Sequence, residues 1–144
     1  MAGVIRSTSL FLCALVYTQP TFAGGNLFCK ITSVNEVAPH GELNRLSADN
    51  RTAFAKHVGT EFIIDRTTGL MLGKHVENEN KTWETKVIDY GSGGQSYRAV
   101  SINRKHSPQQ HGSGQYIEVR TWEEGERKPF VLIDPEIVLG YCTM

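Results

Sequence analysis

The chain is 144 residues long and carries 15 Lys and Arg against 15 Asp and Glu, so its formal charge at pH 7 is zero. That balance argues against a protein held to nucleic acid by overall charge. The length suits a single domain.

Residues 1–23 read as a signal peptide. Arg6 supplies the positive start, Leu10 to Tyr17 form a short apolar run, Pro20 breaks any helix, and Thr21 and Ala23 place small residues at the −3 and −1 positions. The run is too short to cross a hydrocarbon layer of roughly 30 Å, so no stable membrane span is expected. Residues 24–144 are then one exported domain, periplasmic or secreted, in which acidic residues outnumber basic ones by one.

Leu27 to Val34 reads as a first strand, and Asn35 to Glu42, with Pro39 and Gly41, as a loop. The period then changes. Leu46, Ala53, Phe54, His57 and Val58 fall on one face of a helix of about three turns. Ser47 is its N-cap and Gly59 its stop.

Next comes Phe62 to Gly73, where two apolar triplets flank Asp-Arg-Thr-Thr-Gly. The centre reads as a tight turn, with Asp65 accepting a backbone N–H two residues on and Gly69 taking a positive φ. The triplets do not alternate with polar residues, so the hairpin is expected to be covered on both faces, one of them by the helix. Thr82 to Tyr90, Gln95 to Asn103, Gln115 to Trp122, Lys128 to Asp134 and Ile137 to Cys142 follow as strands. The turns are 77–81, 91–94 and 123–126, and 104–114 is a long polar loop. The expected fold is mainly β: an antiparallel barrel or sandwich of seven to eight short strands with one short α-helix packed on it.

Two cysteines lie beyond the signal peptide, Cys29 and Cys142, and an even count in an exported chain reads as a disulfide. Two unpaired buried thiols are the alternative. A bridge would tie the first strand to the last and favour a closed barrel.

Several groups carry side chains capable of chemistry. His106 and His111 share one loop and could hold a metal with a third ligand from elsewhere, though their spacing matches no helix or strand face, Pro108 lies between them, and a solvated loop is the simpler reading. Gly91-Ser92-Gly93-Gly94 lacks the following helix that a phosphate cradle needs and reads as a hairpin turn. His111 and Ser113 have no strand-to-helix elbow around them. Glu123, Glu124 and Glu126 read as a solvated turn. Tyr97, Tyr116 and Trp122 could line a ligand cavity, or simply pack in the core. No catalytic constellation emerges and no cofactor is implied.

The run Phe62 to Gly73, the sequence Asp89-Tyr90-Gly91-Ser92 and the closing Gly140-Tyr141-Cys142 resemble small secreted bacterial proteins of unknown function. That resemblance implies a bacterial periplasm and carries no functional residue with it. The expectation is a non-enzymatic binding module for a small apolar ligand or a protein partner. The alternatives are a metal-binding protein or enzyme using the His106/His111 loop, and a structural component of an envelope complex. An enclosed pocket lined by Tyr97, Tyr116 and Trp122 would favour a ligand carrier, and a filled core a protein partner.

Overall fold

The computed structural model describes residues 25–46, 54–74, 76–79, 82–104 and 114–144. Residues 1–23, expected to be a signal peptide, lie outside this range. The strands are β1 (Leu27–Val37), β2 (Leu43–Arg45), β3 (Glu61–Ile64), β4 (Met71–Leu72), β5 (Trp83–Tyr90), β6 (Tyr97–Asn103), β7 (Gly114–Val119), β8 (Lys128–Asp134) and β9 (Glu136–Thr143). They form one antiparallel sheet in the order β4-β3-β1-β9-β8-β7-β6-β5, with β2 added to the far end of β1. The sheet curls into a half-barrel. Five consecutive strands, β5 to β9, make a meander, and β9 then pairs along β1.

Alternation sets the inside. Tyr97, Ala99 and Ser101 of β6, Ile117 and Val119 of β7, Phe130 and Leu132 of β8, and Val138 and Cys142 of β9 are buried, while their neighbours in sequence face outward. In β1 the buried set is Leu27, Cys29 and Ile31. A register shift between Ile31 and Ser33 then moves the phase so that Val34 points inward. A bulge of this kind adds a residue to one strand and raises its twist, which helps a flat ladder curl. Each large side chain sealed inside contributes about 1.5–3 kcal/mol of transfer free energy. Gly140 of β9 lies against the β1 backbone, under the Phe130 ring. A Cβ there would overlap the Lys30 carbonyl oxygen, so only glycine fits.

Cys29 and Cys142 stand directly opposite each other in the β1–β9 ladder, their Cα atoms 3.9 Å apart and their sulfurs at bonding distance. The expected link between the first and last strands is therefore present. It joins neighbours in the ladder. Closure of the barrel at β4 and β5 is a separate matter, and no backbone ladder joins those two strands.

The turn of the β3–β4 hairpin forms as expected. Asp65 Oδ1 accepts from Thr67 N at 2.8 Å and Thr68 N at 3.1 Å, and Gly69 has φ +77°. Burial of the hairpin differs from expectation. Phe62, Ile64 and Met71 are buried, but Ile63 is only half-buried and Leu72 is 40% exposed. One face is in the core and the other stands open.

Among the described residues there is no α-helix to cover it. Of the segment expected to be helical, 47–53 lie outside the described residues, and Phe54–His57 form a single 3-10 turn. Gly59 ends that turn at φ +89° and donates to the Ile31 carbonyl at 2.8 Å, feeding the chain straight into β3. The loop expected at 35–42 is shorter, because β1 runs on to Val37 and pairs with β2.

At the β8–β9 turn, Asp134 lies opposite Glu136, and Gln115 Nε2 donates to Asp134 Oδ2 at 2.6 Å. Burial pushes the Asp134 carboxyl up, and the Gln115 hydrogen bond only partly offsets this. A folded-state value above the unfolded one adds stability below the unfolded value and loses it as pH rises through the folded one. Asp134→Asn is therefore expected to raise the melting temperature at pH 7. The gain should vanish at about pH 3, below the ordinary aspartate range. Thermal melts of both proteins across that range check the sign, and a loss at pH 7 would refute it.

Candidate functional site

A candidate binding surface lies on the outer face of β9, β1, β3 and β4. Register places Leu72, Ile63, Phe28 and Thr143 in one row across the four strands, and Glu61, Lys30 and Tyr141 in the next. Each of these side chains is out of phase with the buried residues beside it. Phe28 and Ile63 are outward because Leu27, Cys29, Phe62 and Ile64 are inward. The two rows border a groove of about 410 Å³. Phe28, at 53% exposure, is its largest apolar residue open to water.

The rim of the groove is charged. Lys30 Nζ donates to Glu61 Oε1 at 3.1 Å across the β1–β3 pair. The Arg127 guanidinium lies over the Tyr141 ring, 4.6 Å from its centre, a cation–π geometry that fixes both side chains. Apolar residues framed by an ion pair and a stacked arginine suit the burial of a partner's apolar side chain, with polar contacts around it.

Of the residues singled out in the sequence, Tyr97 is fully buried in the interior. Its phenol makes no hydrogen bond among the described residues, and burial raises its ionisation well above the ordinary tyrosine range. Tyr116 is on the opposite, outer face of the sheet, and Trp122, 53% exposed, is in the turn after β7. The three do not share a pocket.

Tyr116 and Trp122 are nevertheless linked. Trp122 Nε1 donates to Ser96 Oγ at 3.3 Å, Tyr116 Oη donates to Glu118 Oε2 at 2.9 Å, and Arg98 Nε lies 3.5 Å from the same carboxylate. A hydrogen bond from the Ser96 hydroxyl, joined by those from Tyr116 and by the Arg98 charge, holds the Glu118 carboxyl below its usual range against the effect of burial. Burial, with Glu118 as acceptor, raises the Tyr116 phenol. These contacts tie the outer faces of β6 and β7 together, with Arg98 Nε at ion-pair distance from Glu118 but making no hydrogen bond among the described residues.

His106 and His111 lie outside the described residues. Among the described residues no group of three or more His, Cys, Asp and Glu side chains is placed to hold a metal. Nor is any helix there long and apolar enough to cross a membrane. Comparison of the chain with protein-family models, with curated proteins and with solved structures finds no match.

The outer groove was missed from sequence because no local signal separates an apolar residue covered by a neighbouring element from one left open. The available clue was the failure of Phe62-Ile63-Ile64 and Leu70-Met71-Leu72 to alternate.

Proposed function

We propose that the chain is an exported, non-enzymatic binding module that meets a protein partner on the outer face of β9, β1, β3 and β4. The observation that carries this reading is the outward-facing row Leu72–Ile63–Phe28 beside Tyr141, with Leu72 and Phe28 exposed and Ile63 half-buried. Contiguous apolar side chains on an otherwise alternating sheet lose free energy in water and regain it in an interface. The large side chains sealed in the interior support a protein partner over a ligand held inside the barrel. Tyr97, Leu27, Ile31, Ile64, Met71 and Leu132 are all sealed there. Export is supported by the apolar start of the chain and by a cysteine pair at bonding distance, which suits an oxidising compartment.

The test is a photo-crosslinking amino acid at position 28, with position 42 on the β1–β2 loop as control, in cells of the host. A single heavier adduct specific to position 28 is expected. Phe28→Asp with Leu72→Asp should weaken capture of that same partner by more than about tenfold, or roughly 1.4 kcal/mol. Absence of a position-specific adduct, or capture of that partner unaffected by the paired substitution, would remove the proposal.

A further inference from the structure

The strand β5 ends the sheet. Its one edge is paired with β6, and among the described residues no strand pairs with the other. Arg104 N donates to Thr82 O at 2.7 Å, which sets the hydrogen-bonding phase of the β5–β6 ladder. In an antiparallel pair that phase alternates, so Glu84 and Lys86 bond toward β6. Trp83, Thr85 and Val87 then turn their backbone N–H and C=O groups to the open edge. The ladder is regular from Trp83 to Val87 and shifts between Val87 and Asp89. The regular part of the edge is therefore Trp83-Glu84-Thr85-Lys86-Val87.

That stretch is complementary to itself. Laid antiparallel on its own copy about Thr85, it brings Glu84 opposite Lys86 on both sides of the centre, and Trp83 opposite Val87. We propose that this protein pairs with a second copy of itself through β5, antiparallel and centred on Thr85, so that the two half-barrels share one continuous sheet.

The three outward-turned residues would each exchange a pair of backbone bonds with the other copy, because centring on Thr85 sets them opposite one another. Opposite charges facing across a strand pair are favourable, and like charges are not. Glu84 already accepts from Arg104 Nε at 2.7 Å, so half of each new ion pair is ordered before association. Thr85 is held at the centre by its hydroxyl, 2.9 Å from Ser101 Oγ. Trp83 and Val87 are half-buried at the rim, and the second copy would cover what remains exposed. Charges on an edge ordinarily discourage pairing. Here they discourage an arbitrary strand while matching their own antiparallel copy, which is how one device gives selectivity. The inference does not rest on the partner-binding face described above, which lies at the other end of the sheet order.

Sedimentation of the protein isolated from its host, together with Glu84→Lys and Lys86→Glu variants, tests it. The wild type should be dimeric. Each variant alone places like charges at both pairings and should weaken association by more than about tenfold. An equal mixture of the two should recover a dimer, since every position 84 then meets an opposite charge at position 86. Hydrogen exchange on the unmodified protein gives a second measurement that needs no variant. The amides of Trp83, Thr85 and Val87 should gain protection with rising concentration, while those of Glu84 and Lys86 should be protected throughout. A wild type that stays monomeric to about 200 µM, a dimer indifferent to both substitutions, or no recovery on mixing would each overturn the proposal.

Discussion

Replacing both Cys29 and Cys142 with alanine is expected to lower the stability of the folded chain by about 4–5 kcal/mol. The two residues are 113 apart in sequence, and cross-linking so long a loop removes that much freedom from the unfolded chain. Domains of this size have roughly 5–15 kcal/mol in total, so at least about a quarter to a third of the margin is at stake. The folded state should change little. The β1–β9 ladder runs from Phe28 opposite Thr143 to Asn35 opposite Ile137 and does not depend on the bridge to hold its register. Both sulfurs face the core, so alanine also removes a small buried volume without leaving a polar group unpaired. Urea unfolding should show a lower midpoint, with the far-UV spectrum of the folded form unchanged. Addition of a reductant to the wild type should move it toward the variant. A loss below about 1 kcal/mol would mean that the unfolded chain already keeps its ends together.

Strand positions were legible in the sequence because turn chemistry is local. Asp65 and Gly69 settle a hairpin within five residues, and the structure places both as their chemistry requires. The pairing of Cys29 with Cys142 was legible because only two cysteines lie beyond the apolar start. What could not be read is what lies against an outward face. Ile63 and Leu72 have the same composition whether a helix or water covers them. The parity of a strand is equally blind to its register. Tyr97 and Tyr116 are alike as residues, but Tyr97 is opposite buried Val119 and Tyr116 opposite outward-facing Val100, so one is sealed and the other is not. The self-complementary edge of β5 is in the sequence from the start. It acquires meaning only once β5 is known to end the sheet and to be regular from Trp83 to Val87.

Asn78 was the least legible residue of all, since it lies in a polar run that reads as a turn, and it is expected to have the second-largest effect. Its side chain is 1% exposed and bridges the two ends of the curled sheet. On the hairpin side, Oδ1 accepts from Met71 N at 2.6 Å and Nδ2 donates to Gly69 O at 3.1 Å. On the other side, Nδ2 donates to Ser101 Oγ at 2.7 Å and reaches Thr85 Oγ1 at 3.3 Å. In Asn78→Ala the two hydroxyls still have each other at 2.9 Å, whereas the Met71 N–H loses its side-chain acceptor and the Gly69 carbonyl its side-chain donor. Leaving a buried group unpaired costs about 1–3 kcal/mol, so a loss of about 3 kcal/mol is expected from the pair. The damage should be local before it is global. The Met71 amide should exchange far faster than amides of β7 and β8, because the β3–β4 hairpin loses its hold on β5 and β6 while the meander is untouched. Asn78→Asp keeps the acceptor for Met71 but loses the donors and buries a carboxyl, so its deficit should grow as pH rises through the raised folded-state value. If Asn78→Ala costs less than about 1 kcal/mol, or the Met71 amide stays as protected as that of Ile117, then packing of Gly69 against Thr85, Val87 and Ala99 holds the ends together without it.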